Sequence, residues 1–178
     1  YTKDEVAALA AVTKKHGVSV ISDEVYDRFS YDSEHVSWLA FDKEAVLIRT
    51  TGKTWGMTGW RGGYAAGPKK ILDAMTTLQQ LVYVCVNTPT QWASIQALDE
   101  DIPHIIEDYD EKRNLVYDTL RPFYKLHRPE GAFYAFPEIP NGNIERFHEL
   151  CLEKNLLVVP GNLFSSRNTH FRISFALA

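Results

Sequence analysis

Apolar and polar positions follow two different periods along this chain, and the change of period marks its elements. In TKDEVAALAAVTKKHG, residues 2–17, Val6, Leu9, Ala10 and Thr13 fall on one stripe at helical spacing. Thr2 followed three residues later by Glu5 has the form of a capping box, and Gly17 supplies a stop. VSVIS, residues 18–22, is a short apolar run of the kind covered on both faces inside a parallel sheet. AVLIRT, residues 45–50, reads as a second strand, and glycine-rich GGYAAG, residues 62–67, as a third. Helix, strand, loop, strand, loop, strand predicts an α/β fold with a parallel-rich sheet.

Pro68 then opens KKILDAMTTLQQLVYVCVN at a position where a helix tolerates proline. The β-branched and aromatic run from Val82 to Val86 also suits a strand, but the pattern before it favours helix. TPTQWASIQALDE predicts another helix, and residues 103–121 a further one with Ile106, Tyr109, Leu115 and Leu120 inward. Composition shifts near Pro122. FYKLHR and FYAFPEI read as two antiparallel strands joined tightly at PEG. NIERFHELCLEKN is an amphipathic helix with Ile144, Phe147, Leu150 and Cys151 on one face, and LLVVPG and HFRISFALA close the chain as strands. Residues 1–121 therefore read as part of a large α/β domain with a connecting helix, and residues 122–178 as a small α+β domain.

The bulk numbers narrow the picture. With 45% hydrophobic and 24% charged residues, the 178-residue chain has the balance of a globular protein with a real core. Nineteen Lys and Arg against 23 Asp and Glu give a formal charge of -4, which argues against nucleic acid as a partner. No run of eighteen apolar residues exists, so no membrane span is expected. Cys85 and Cys151 stand apart from any CxxC pair and read as inert buried thiols, and the six histidines are scattered without metal-ligand spacing. No metal is expected. No signal peptide opens the chain, and the cytoplasm is the expected compartment.

The candidate chemistry lies where the first two strands end. Asp23 follows VSVIS directly, and Tyr26 is three residues on. Ligands of open α/β sheets bind beyond the carboxyl ends of strands. RTTGKTWGMTGWRGGY, residues 49–64, leaves the end of the second strand and carries Lys53 and Arg61. An amine, a guanidinium, a carboxylate and a phenol form the set that a pyridoxal 5'-phosphate site needs. Lys53 would form the Schiff base, and Asp23 would keep a pyridine nitrogen protonated. Tyr26 would meet the ring oxygen, while Arg61 and the Thr50 hydroxyl would meet the phosphate. The bland reading, a Gly/Thr surface loop with solvated charges, accounts poorly for two tryptophans and five glycines in so short a stretch. GKT also echoes a P-loop, but that pattern needs glycine where Leu47 stands. Arg172, in HFRISFALA, alternates away from Phe171, Ile173 and Phe175. On its residues alone it is equally a solvent-facing strand arginine.

SDEVYDRF followed by TTGKTWGMTGWRGGY resembles the fold-type I, class I/II aminotransferases that depend on pyridoxal phosphate. The resemblance implies that Lys53 holds the cofactor, Asp23 pairs with its pyridine nitrogen, Tyr26 bonds its ring oxygen, and Arg61 and Thr50 hold its phosphate. It also makes FRISFA similar to the segment whose arginine, here Arg172, clamps the substrate α-carboxylate. Two positions depart from the family pattern: Gly52, where relatives often have serine, and Ser165, where they often have glycine.

The resemblance spans nearly the whole chain but only part of the family's length. YTKDEVAALA resembles the stretch just after the family's Asn-Pro-Thr-Gly motif, so further sequence is expected before it, and a final helix after FRISFA. The implied activity is transfer of an amino group between an amino acid and a 2-oxo acid, by a homodimer in the full-length enzyme. A carbon–sulfur lyase or related enzyme of the same fold shares these residues. A non-catalytic binding or regulatory module is the third reading. Residues 1–178 alone are expected to be inactive.

Overall fold

A computed structural model describes residues 1–166 and 168–176. The chain forms two compact units, Tyr1–Ile102 and Pro103–Ala178. The first begins with helix α1, Lys3–Lys15. The predicted capping box is formed: the Thr2 hydroxyl accepts the Glu5 N–H at 3.3 Å, and the Glu5 carboxylate accepts the Thr2 N–H at 2.7 Å. Val6 and Ala10 are buried, whereas Leu9 of the same stripe stays largely exposed.

Three strands follow: β1 (Ile21–Asp23), β2 (Val46–Thr50) and β3 (Gly63–Ala66). They lie in the order β1-β2-β3. β1 runs parallel to β2 with Asp23 opposite Ile48, and β3 returns antiparallel with Gly63 opposite Thr50. The sheet is thus mixed. The expectation that the first strand is covered on both faces is not met. β1 is an edge strand with one neighbour, and Ile21 and Val18 are 70% and 54% exposed. β2, the central strand, buries Val46 and Leu47 as its apolar run requires.

A short helix α2, Thr51–Thr54, bridges β2 towards β3. Beyond β3 come α3 (Lys69–Val82) and α4 (Thr88–Leu98). The helical reading of the 69–87 stretch holds as far as Val82. Val84 then takes a left-handed conformation (φ 67°), and Cys85 is exposed rather than buried.

The second unit opens with α5, Pro103–Leu120. Ile106, Tyr109 and Leu120 are partly buried. Leu115 is 68% exposed, and the side chain that turns inward instead is Arg113, paired with Asp110 and donating to the Pro129 carbonyl at 3.0 Å. The expected FYKLHR–FYAFPEI hairpin is absent. Strand β4, Tyr134–Ala135, pairs antiparallel with β6, Phe171–Ser174, and β6 pairs antiparallel with β5, Val159–Pro160. Local turn signals cannot reveal that a distant strand is the better partner. The helix α6, Ile144–Glu153, packs Ile144 and Cys151 into a core with Ile139, Val158 and Phe171. Phe171 and Phe175 are buried on one face of β6, as alternation requires. Leu177 and Ala178, the end of the predicted last strand, lie outside the described residues. No helix is long and apolar enough to cross a membrane among the described residues.

Candidate active site

The carboxyl ends of β1 and β2 lie side by side because the strands are parallel and in register. Asp23 ends β1, exposed, and a turn over residues 25–28 brings Tyr26 back beside the strand end. Thr50 ends β2, and α2 places Lys53 three residues later. The Lys53 Nζ stands 5.7 Å from the centroid of the Tyr26 ring. Two segments distant in sequence therefore bring an amine and a phenol together, with Asp23 at the same sheet edge. A cleft of about 330 Å³ between α1 and β1 is lined by Asp23 and Glu24, and Lys53 is not on it.

The loop that carries Lys53 and Arg61 is shaped by threonines. The Thr50 hydroxyl accepts the Gly52 N–H at 2.9 Å and donates to the Gly62 carbonyl at 2.7 Å. Its hydroxyl thereby ties the start of the loop to its end. Thr58 donates to the Gly52 carbonyl at 2.8 Å, and the buried Thr90 of α4 donates to the Trp60 carbonyl at 2.9 Å. The carbonyls of Trp60 and Gly62, the residues flanking Arg61, are thus held, and Arg61 sits in the left-handed region at φ 59°, ψ 42°. A non-glycine residue there costs about 1–2 kcal/mol, an outlay of the kind concentrated at ligand sites. Its exposed guanidinium donates to the Thr58 carbonyl at 3.1 Å. Gly62 follows at a point where any Cβ would lie 2.7 Å from the Thr90 methyl, so no larger residue fits.

Beneath Asp23 lies a residue that the sequence reading passed over. Glu24 is 6% exposed. Its carboxylate accepts from Ser22 and Ser37 hydroxyls, the Trp38 backbone N–H, His35 Nε2 at 2.8 Å and Arg49 Nη2 at 3.0 Å. Burial pushes its pKa up, but the hydrogen bonds from His35, Trp38, Arg49 and Ser22 outweigh burial and hold it at about 2. Arg49 also reaches Asp27 at 3.2 Å. Burial works against its charge, and the pairing with Glu24 and Asp27 raises its pKa nonetheless. A signal for this cluster existed. An arginine inside an apolar strand needs a carboxylate, a ligand or open solvent, and AVLIRT holds one just as FRISFA does.

Arg172 belongs to the second unit. Its guanidinium lies 4.5 Å from the Tyr134 ring centroid and 4.3 Å from that of Phe164. Such face contact leaves the in-plane N–H edge as the part of the group suited to a carboxylate fork.

The donor set fits pyridoxal phosphate in kind: an amine beside a phenol, a carboxylate at the same sheet edge, and a guanidinium held in a costly backbone conformation. Thr50 fits as a brace of the loop.

The family profile described as aminotransferase class I and II matches residues 1–178. An aspartate aminotransferase of Thermotoga maritima is 34% identical over 181 residues, covering 99% of this chain and 48% of that protein. A solved structure of an aromatic aminotransferase from Pyrococcus horikoshii superposes with a TM-score of 0.94 at 34% identity, covering 100% of this chain and 52% of its own. An aspartate aminotransferase from Thermus thermophilus with maleate gives 0.93 at 32% identity, covering 100% and 49%. The chain spans about half the length of the curated relatives it matches.

Proposed function

The chain belongs to the class I and II aminotransferase family, and from that premise we propose that the whole protein moves an amino group between an amino acid and a 2-oxo acid. One observation carries the reading: the amine of Lys53 meets the face of Tyr26 at the carboxyl ends of two parallel strands. Pyridoxal 5'-phosphate, when bound, supplies an aldehyde carbon and a conjugated electron sink that no side chain possesses.

The remaining steps belong to the chain's own residues. Lys53 would hold the cofactor through its aldehyde carbon, and its amine would carry a proton at the substrate α-carbon. The Tyr26 ring face stands by the Lys53 amine, where it can attract a cation. Asp23 would keep a proton on the ring nitrogen, and the Tyr26 hydroxyl would donate to the ring oxygen. Arg61 and the Thr50 hydroxyl would hold the phosphate, and Thr50 also fixes the loop that presents Arg61. Arg172 would take the substrate's α-carboxylate with its planar N–H fork. The 1–121 part would hold the cofactor and the 122–178 part the substrate carboxylate. Family membership supports a homodimer, and the reading assigns the protein to the cytoplasm.

The test is borohydride reduction of the full-length protein with pyridoxal phosphate, followed by peptide mapping. The label is expected on Lys53, and Lys53→Ala is expected to lose both label and turnover. Label on another lysine, or none, overturns the reading. Product analysis separates the lyase: stoichiometric 2-oxo acid without ammonia marks transfer.

A further inference from the structure

We propose that Arg49 is a positioning residue, whose guanidinium, forked between Glu24 and Asp27, sets the distance between the Tyr26 phenol and the Lys53 amine. The proposal rests on the roles assigned to Tyr26 and Lys53 above. The geometry is specific. Glu24 follows Asp23, and Asp27 follows Tyr26, so the two carboxylates bracket the turn that carries the phenol. Arg49 precedes Thr50, the cap of the helix that carries Lys53. One guanidinium therefore ties the phenol's turn to the amine's strand, with Nη2 on Glu24 at 3.0 Å and Nη1 on Asp27 at 3.2 Å.

The two arms differ. Glu24 is anchored on its own by Ser22, His35, Ser37 and the Trp38 N–H. It is a fixed point against which Arg49 is held. Asp27 has its carboxylate 15% exposed, at the far end of the turn. The Asp27 arm is the one that reaches past Tyr26 and stops the turn from opening. Tyr64, opposite Arg49 on β3, closes the remaining side. A lysine at this position would bring a point charge that cannot fork to two carboxylates at once.

The test uses the full-length protein with pyridoxal phosphate and the variants Arg49→Lys, Asp27→Asn, Tyr26→Phe and Asp27→Asn/Tyr26→Phe. The readout is the pH midpoint of the bound cofactor's absorbance change, with melting temperature, kcat and KM alongside. A displaced phenol withdraws a donor from the ring oxygen and makes the cofactor more basic. Arg49→Lys and Asp27→Asn are each expected to raise the midpoint by roughly half a unit or more, a several-fold shift in the proton equilibrium. kcat is expected to fall about tenfold with KM within about twofold, the pattern of a lost transition-state interaction. The double variant is expected to match Tyr26→Phe alone, because Asp27 then acts only through Tyr26.

Unmoved midpoints in variants that melt like the wild type overturn the proposal, even while Lys53 is still labelled by borohydride. A further shift in the double variant beyond Tyr26→Phe also overturns it. No label on wild-type Lys53 fails the underlying reading, and the proposal with it. Should Arg49→Lys not fold, Asp27→Asn, nearly isosteric, decides alone.

Discussion

Glu24 is the residue on which acid stability is expected to depend. Its folded-state pKa, about 2, lies below the ordinary 4.5. A carboxyl depressed in this way stabilises the fold fully above its unfolded value. That contribution is lost as pH falls through the window from about 4.5 to about 2. Urea unfolding between about pH 6 and pH 2.5 is expected to show stability falling in that window for the wild type, and falling less steeply for Glu24→Gln. Equal slopes would assign the acid sensitivity to other carboxylates. The residue scale also shows the reach of type-based reasoning. Lys53, Tyr26 and Asp23 drew attention because their functional groups match a cofactor's needs. Glu24 and Arg49 did not, because their roles depend on a register, Asp23 opposite Ile48, that brings the next pair of residues face to face.

At the scale of the element, the loop from Thr50 to Gly63 is held against α4 at Thr90, which packs its methyl on Gly62 and bonds the Trp60 carbonyl. A methyl added at Gly62 would meet the Thr90 methyl at 2.7 Å, and Thr90 is 1% exposed, so neither side yields easily. Gly62→Ala is expected to cost about 1–3 kcal/mol by overpacking. Thermal unfolding should show a drop of several degrees, and pyridoxal phosphate affinity should fall as Arg61 is displaced. An unchanged melting point would mean that the loop has slack this packing does not suggest. The helices were legible from local signals, the Thr2–Glu5 box and the apolar stripes; in the structure α1, α4 and α6 each start on a side-chain cap, Thr2 with Glu5, Asn87 with Thr90 and Asn143 with Arg146. The short strands of the second unit were not. β4 and β5 are two residues each, and their partner β6 follows only after a long interval of chain. No local periodicity encodes that pairing.

For the molecule as a whole, apolar side chains remain open to solvent in quantity. Ile21 is 70% exposed, Leu81 80%, Val82 75% and Trp92 69%. Relatives of this family are about twice as long as the chain. The 178-residue chain made alone is therefore expected to self-associate, as large exposed apolar patches do. It should also bind pyridoxal phosphate weakly and turn over little. Sedimentation and an absorbance titration check this. A monomer with tight cofactor binding and full turnover would show that residues 1–178 hold everything the site requires.

The amino-acid order by itself determined the helices, the three strands of the first sheet and the chemical identity of the candidate groups. Those features depend on neighbours a few residues away or on functional groups that need no context. Only the tertiary structure decided which strand pairs with which, which side of β1 is bare, and which carboxylates Arg49 joins. The reason is physical: pairing and burial depend on partners distant along the chain, and the sequence names those partners without saying where they meet.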